Sequence, residues 1–128
     1  MFLSNLFGAV GAGVSSNPFS PGDQSGFSLV LDAAVQYTTN GNLVSVYGTI
    51  TYPVTASGAG ALISLPIAVP NETYAGVVGT AIVGGVTGFA IATQPGTSTA
   101  KILNASGAMT NANLSAATIQ FFLTYPMS

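Results

Sequence analysis

The sequence predicts an all-β fold, either a sandwich or a barrel of short antiparallel strands. Seven or eight short runs rich in Val, Ile, Thr and aromatic residues follow one another, at intervals of about 8–12 residues. Clusters that contain Gly, Pro and Asn separate the runs, and such clusters are typical of turns between strands. The predicted strands are 27–31, 34–38, 43–52, 61–65, 73–83, 86–93, 99–104 and 117–125.

The run 43–52 shows the clearest alternation of the chain. Val44 and Val46 fall on one face of the strand that it would form, and polar or mixed residues fall on the other. The run follows Asn40 and Gly41, the dipeptide that most favours a two-residue hairpin. We therefore predict a hairpin in which both of these turn residues adopt positive φ, as a type I′ turn requires.

The first 26 residues differ from the rest of the chain. They carry no charge before Asp23, and they end in a cluster of helix- and strand-breaking residues around Pro18 and Pro21. Apolar residues near the start recur at the spacing of one face of a short helix. We therefore predict an extended or short-helical N-terminal arm and linker over 1–26 and a β-sandwich domain over 27–128.

Apolar side chains in such an arm favour docking against a partner, because an exposed arm has no core of its own to cover them. The alternative is that they pack back onto the arm's own domain. The predicted partner-binding anchors are Phe2, Leu3, Leu6, Phe7 and Phe19.

Composition excludes several classes of function. The chain has one basic residue, three acidic residues, no His and no Cys. A single Lys cannot neutralise the phosphates of a nucleic acid. Zinc, haem and iron–sulfur sites need His or Cys ligands, and so do the common Ser-His-Asp and Cys-His catalytic groups. We expect no metal, no cofactor and no nucleic-acid partner.

Two carboxylates, Asp32 and Glu72, are the remaining combination that could hydrolyse a glycoside. Sugar sites usually add aromatic platforms, and the chain has no Trp. Asp32 is better explained as a charge that blocks pairing at a strand edge, and Glu72 as a solvated loop residue. Asp23 reads as a turn carboxylate rather than a calcium ligand, because no second acidic residue is nearby. We therefore expect that the protein is not an enzyme.

The stretch 75–92 is the one candidate for a membrane span. It has 18 uncharged residues, but five of them are Gly and many others are β-branched. Two strands joined by Gly84 and Gly85 explain this composition better than a helix does. We expect no membrane partner.

Part of the sequence resembles a known protein module. The resemblance lies in Tyr37-Thr38, in Asn40-Gly41-Asn42-Leu43-Val44, in the following Val46, Gly48 and Ile50, and in Ile63-Ser64-Leu65-Pro66-Ile67. These residues resemble the small β-sandwich module of tailed-bacteriophage virion proteins, which include capsid decoration (cement) proteins and tail-fibre parts. The closing run 119–125 is similar to the terminal strand of that module. The matched residues cover less than a third of the chain.

The resemblance implies a single antiparallel β-sandwich of jelly-roll type that assembles as a homotrimer. It further implies a structural virion protein that decorates the capsid surface, binds the major capsid protein and reinforces the phage head after assembly in the bacterial host cytoplasm. A tail-fibre or adhesin-like receptor-binding module is the alternative. The composition is consistent with a subunit of a larger assembly, because removing Ser, Thr and Asn side chains from water costs less free energy than removing charged ones.

Overall fold

A computed structural model describes residues 16–26 and 29–127 of the chain. This part of the chain contains nine β-strands, two short 3-10 helices and no α-helix, so the all-β class predicted from the sequence is confirmed. The strands are β1 (Asn17–Phe19), β2 (Asp32–Asn40), β3 (Leu43–Thr51), β4 (Ile63–Ser64), β5 (Val78–Val83), β6 (Val86–Thr93), β7 (Thr99–Asn104), β8 (Gly107–Ala108) and β9 (Thr118–Pro126). The 3-10 helices are Thr73–Ala75 and Ala112–Leu114.

Hydrogen bonding joins these strands into one antiparallel sheet with the order β1-β2-β3-β9-β5-β6-β7-β4. Strand β8 pairs with β7 on the same edge as β4. The long central strands β2, β3 and β9 pair in register along their whole length. The sheet is one continuous ladder that does not close, and its pairing alone does not divide it into the two layers of a jelly roll.

The inward face of the sheet forms a single hydrophobic core. Alternation along β3 and β9 places one side chain in two on this face, and these residues are almost completely buried: Val44, Val46, Ile50, Ile119, Leu123 and Tyr125. Ile91 on β6 and Ile102 on β7 belong to the same cluster. Since strands from both halves of the sheet contribute to one cluster, the sheet curves around its core. Each buried side chain of this size contributes about 1.5–3 kcal/mol.

Two long connections contribute buried side chains to this core, among them Tyr52 and Leu114. Residues 52–62 lead from β3 to β4, and residues 109–117 lead from β8 to β9. They lie side by side: the Ala112 N–H donates to the Ser57 carbonyl (2.8 Å), and the Ala61 N–H donates to the Met109 carbonyl (3.1 Å). These bonds satisfy backbone groups that a buried loop would otherwise leave unpaired.

The segment 16–26 belongs to the sheet, which corrects the predicted linker. Strand β1 pairs with β2, and farther along the segment the Ser64 N–H donates to the Gly22 carbonyl (2.9 Å) next to β4. The segment therefore contacts strands at both ends of the sheet order. Pro18 is compatible with this role because β1 is an edge strand, where a residue without an N–H is tolerated.

Phe19 is half-buried at the margin of the core, and its ring meets that of Tyr37 edge to face at 6.4 Å. It packs partly on its own domain, and its role as a partner-binding anchor stays a prediction. The other four predicted anchors, Phe2, Leu3, Leu6 and Phe7, lie outside the described residues.

The hairpin between β2 and β3 differs by one residue from the prediction. Asn40 pairs with Leu43 as the last residue of β2, so the turn consists of Gly41 and Asn42. Gly41 has φ +61°, whereas neither Asn40 nor Asn42 has positive φ. Positive φ at the first turn residue alone is the pattern of a type II′ turn, so the predicted type I′ turn was wrong.

The apolar stretch 75–92 folds as the β5–β6 hairpin, with Gly84 and Gly85 both at positive φ in its turn. Among the described residues, no helix has the length and apolar character needed to cross a membrane. The predicted strand 73–83 begins later, at Val78, because Thr73–Ala75 forms a 3-10 helix. The described part of the predicted strand 27–31, residues 29–31, precedes β2 without strand pairing.

Candidate functional site

The side of β3, β9 and β5 that faces away from the core, hereafter the outer face, is the first candidate site. The strand register places Tyr47, Phe122 and Thr80 in one row across it. Thr49, Gln120 and Ile82 form the next row. These side chains are hydroxyls, an amide, an aliphatic group and two aromatic rings, and none of them carries a charge.

An aromatic pair lies at the centre of the outer face. The rings of Tyr47 and Phe122 stack with centroids 6.1 Å apart and an interplanar angle of 23°. The Phe122 side chain is 54% exposed. Such a pair contributes about 0.5–1.5 kcal/mol beyond the area that it buries, yet most of the Phe122 ring still faces water. A large exposed aromatic group on an uncharged surface is typical of a site that docks another molecule.

A groove of about 640 Å³ adjoins the aromatic pair. It runs from β3 over β9 and β5 to β6, and the outward-facing side chains that line it include Thr49, Thr80, Ile82, Gln120 and Phe122. Gly88 leaves space in its floor, and the register of β5 against β6 shifts between Ala81 and Val83. A shift of this kind bends the strand locally. The groove presents apolar surface and neutral hydrogen-bonding groups, and no ionisable side chain lines it.

The described chain begins at the rim of the outer face. The Ser16 hydroxyl donates a hydrogen bond to Gln36 Oε1 and lies 3.2 Å from the Tyr47 hydroxyl. Gln36 is the β2 neighbour of Tyr47, so it continues the row of Tyr47 and Phe122 to the next strand. The backbone that precedes Ser16 therefore joins the domain beside the aromatic pair.

A buried polar cluster around Asp23 is the second candidate site. The Tyr52 hydroxyl donates to Asp23 Oδ2 at 2.6 Å, the Leu62 N–H donates to the same oxygen at 3.3 Å, and the Ser25 N–H donates to Oδ1 at 2.9 Å. Burial, and then the hydrogen bond and the charge of Asp23, raise the pKa of Tyr52 far above its usual value. Tyr52 therefore stays a hydrogen-bond donor, and the cluster ties the segment 22–25 to the body of the domain.

Asn111 extends this cluster. It is fully buried, and its Nδ2 donates to the Ser25 hydroxyl at 2.9 Å, while the Ser57 hydroxyl lies at 3.4 Å. Its Oδ1 has no hydrogen-bond partner. Through these hydrogen bonds the cluster connects the segment 22–25 to Tyr52, Leu62 and Asn111.

The two carboxylates considered for hydrolysis lie on different elements. Asp32 is the first residue of β2, opposite Thr51, and Glu72 precedes the 3-10 helix 73–75; both are exposed. Within the residues 16–26 and 29–127, no group of three or more His, Cys, Asp or Glu side chains is placed to hold a metal ion.

Sequence reasoning missed the importance of Phe122. The sequence does contain an indication of it. In the run 117–125, Ile119, Phe121 and Leu123 fall on one face of the strand, and Phe122 is a large apolar residue on the opposite face. By contrast, nothing local pairs Asp23 with Tyr52, because the two are 29 residues apart.

Comparisons with protein-family models, with curated proteins and with solved structures give no match to this chain.

Proposed function

We propose that this protein is a structural component of a tailed-phage particle, a capsid decoration or cement protein without enzymatic activity. In this proposal it forms homotrimers, binds the major capsid protein on the capsid surface and reinforces the head, after assembly in the cytoplasm of the bacterial host. The two halves of its curved sheet act as the layers of the β-sandwich that the sequence resembles.

The observation that carries this proposal is the uncharged outer face with the exposed Tyr47–Phe122 pair at its centre. Binding such a face requires no desolvation of charges, which is the costly step in forming an interface. Aromatic side chains near the centre of a docking surface supply much of the binding energy. A permanent structural contact fits a surface of this composition better than a transient one.

Binding to particles that lack this protein tests the proposal. Phe122→Ser should weaken attachment by more than about tenfold in Kd, because it removes the central aromatic anchor. Tyr74→Ser is the matched control, since Tyr74 is 68% exposed on the 3-10 helix 73–75 and lies away from the groove. Equal binding by Phe122→Ser and the unchanged protein would contradict the proposal, and so would an equal loss in both variants.

A receptor-binding module of a tail fibre or adhesin is the second candidate. The flat Tyr47–Phe122 stack, with Gln120 and Thr80 beside it, supplies an apolar platform and neutral hydrogen-bonding groups, a combination that suits a sugar ring. Binding of soluble host glycans, lost in Phe122→Ser and retained in Tyr74→Ser, would favour this candidate. Attachment to heads without glycan binding would favour the decoration role.

A further inference from the structure

The turn between β2 and β3 places an exposed asparagine side chain next to an unprotected backbone nitrogen. Asn40 is the last residue of β2, and Gly41 follows it in the turn. Among the described residues, neither the Asn40 side chain nor the Gly41 N–H has a hydrogen-bond partner. A Cβ atom added at Gly41 would meet no atom within 4 Å, so nothing covers this side of the turn.

These groups are the reactants of asparagine deamidation. The Gly41 nitrogen attacks Cγ of Asn40, the Cγ–Nδ2 bond breaks, and Nδ2 leaves as ammonia with the proton that the Gly41 nitrogen gives up. The product is a cyclic succinimide. Water then opens the ring at either carbonyl carbon, which gives aspartate or isoaspartate. Glycine hinders this attack least, because it has no side chain.

The other asparagines of the chain are less suited to this reaction. Asn40 alone precedes a glycine, and Asn17 precedes a proline, which has no N–H to react. The side-chain oxygens of Asn104 and Asn113 accept backbone hydrogen bonds at 2.8 Å and 2.9 Å in their own turns. Asn111 is fully buried. The remaining asparagines precede Leu or Glu, whose side chains crowd the attacking nitrogen.

The reaction requires the end of the hairpin to open locally. Asn40 is extended in β2, and its pairing with Leu43 is the last one before the turn. The Gly41 nitrogen has to rotate toward the Asn40 side chain to close the ring, so this pair must open first. The end of an exposed hairpin opens at low free-energy cost, and the core does not have to unfold.

We propose that Asn40 is a spontaneous modification site, which deamidates through a succinimide while the rest of the domain stays folded. The new carboxylate adds one negative charge to a chain whose net charge is −2. Where isoaspartate forms, the backbone gains a methylene group beside the turn, which displaces the pairing with Leu43. This inference concerns the protein by itself and does not rest on the proposed function.

Incubation of the folded protein at mildly alkaline pH tests the proposal, because a base that removes the proton from the Gly41 nitrogen speeds the attack. Ion-exchange chromatography should resolve a more acidic species, and peptide mapping should place aspartate and isoaspartate at residue 40. Conversion at Asn40 should be several-fold faster than at any other asparagine. Equal or faster conversion elsewhere would overturn the proposal. So would an unmodified Asn40 after a time in which a synthetic peptide of residues 38–43 reacts completely.

Two variants are matched controls on either side of Gly41. Asn40→Gln keeps the amide but lengthens the side chain, which disfavours ring closure, so the acidic species should disappear. Asn42→Gln should leave the rate at Asn40 unchanged, because Asn42 does not take part in the ring. The same result in both variants would contradict the assignment to Asn40.

A third variant separates local opening from global unfolding. Ile91→Val removes a buried methyl group from β6, which β9 and β5 separate from β3, and lowers the stability of the whole domain. The rate at Asn40 should stay unchanged in this variant, because only the end of the hairpin opens. A several-fold rise would mean that Asn40 reacts from the unfolded chain, which would contradict the proposal.

Discussion

Gly48 shows how one residue sets the close approach of two strands. It lies in the middle of β3 with φ +146°, a conformation that favours glycine. A Cβ atom there would lie 2.3 Å from the carbonyl oxygen of Ala34 and 2.7 Å from Cα of Val35. Both atoms belong to the backbone of β2, so no side-chain rotation can relieve the clash, and the two strands would have to separate.

We therefore expect Gly48→Ala to lower the free energy of unfolding by about 2–4 kcal/mol. Urea denaturation at neutral pH measures the change. Gly58→Ala is the control, because a Cβ at Gly58 meets no atom within 4 Å; we expect a change within about 0.5 kcal/mol. Similar losses in the two variants would show that β2 and β3 do not approach as described.

The buried tyrosines make stability depend on alkaline pH. The Tyr125 hydroxyl donates to the Ile67 carbonyl at 2.7 Å, and burial raises the pKa of Tyr125 to about 12 from its usual value of 10.0. The pKa of Tyr52 shifts in the same direction. Above pH 10 the unfolded chain releases these protons first, so it binds fewer protons than the folded chain and stability falls as pH rises.

For Tyr125 this loss begins near pH 10 and amounts to about 2–3 kcal/mol by about pH 12, since one pKa unit corresponds to about 1.4 kcal/mol. Denaturation curves recorded from about pH 9 to about pH 12 measure it. Tyr125→Phe should be less stable at neutral pH by about 1 kcal/mol, because the hydrogen bond to Ile67 is lost. It should also lose less stability across this alkaline range than the unchanged protein, and identical slopes would refute the assignment to Tyr125.

At the scale of elements, the β2–β3 hairpin depends on its first turn residue. Gly41 adopts φ +61° in open space, so only the backbone conformation opposes a side chain there. We expect Gly41→Val to cost about 1–3 kcal/mol in unfolding free energy. Gly41→Asn should cost less, because Asn tolerates positive φ better than β-branched residues do. Thermal melting of the two variants compares them, and an equal, negligible effect would contradict the described turn.

The elements that sequence reasoning placed correctly are those whose pattern is local. Strands β3 and β9 alternate buried and more exposed side chains over most of their nine residues, and the glycines between β5 and β6 indicate a tight turn. The turn before β3 was misplaced by one residue because Asn40-Gly41 and Gly41-Asn42 are both acceptable turn dipeptides. Only the pairing of Asn40 with Leu43 separates them.

The misplaced elements depend on distant partners. Strand β1 resembles a linker in sequence because Pro18 within it and Pro21 after it obscure any strand pattern, and its pairing residues lie on β2. Asp23 reads as a turn residue because Tyr52 and Leu62, which donate to it, are far away in sequence. The outer-face groove is likewise invisible in sequence, since it arises where four strands from separate parts of the chain lie together.

The whole molecule carries very little charge, and its outer face is uncharged and partly apolar. A net charge of −2 gives little repulsion between copies. We therefore expect self-association at micromolar concentration, and the resemblance to the phage module implies that the assembly is a trimer. Light scattering should give three times the mass of the 12.7 kDa chain, and a stable monomer would remove the trimer from the proposal.

The proposal that the protein decorates phage heads is tested by its copy number and position in purified particles of a phage whose genome carries this sequence. Quantitative mass spectrometry of intact particles and of separated heads and tails measures both. A decoration protein should have a copy number that scales with that of the major capsid protein and should be found on the heads. A few copies confined to the tails, or none in the particles, would contradict it.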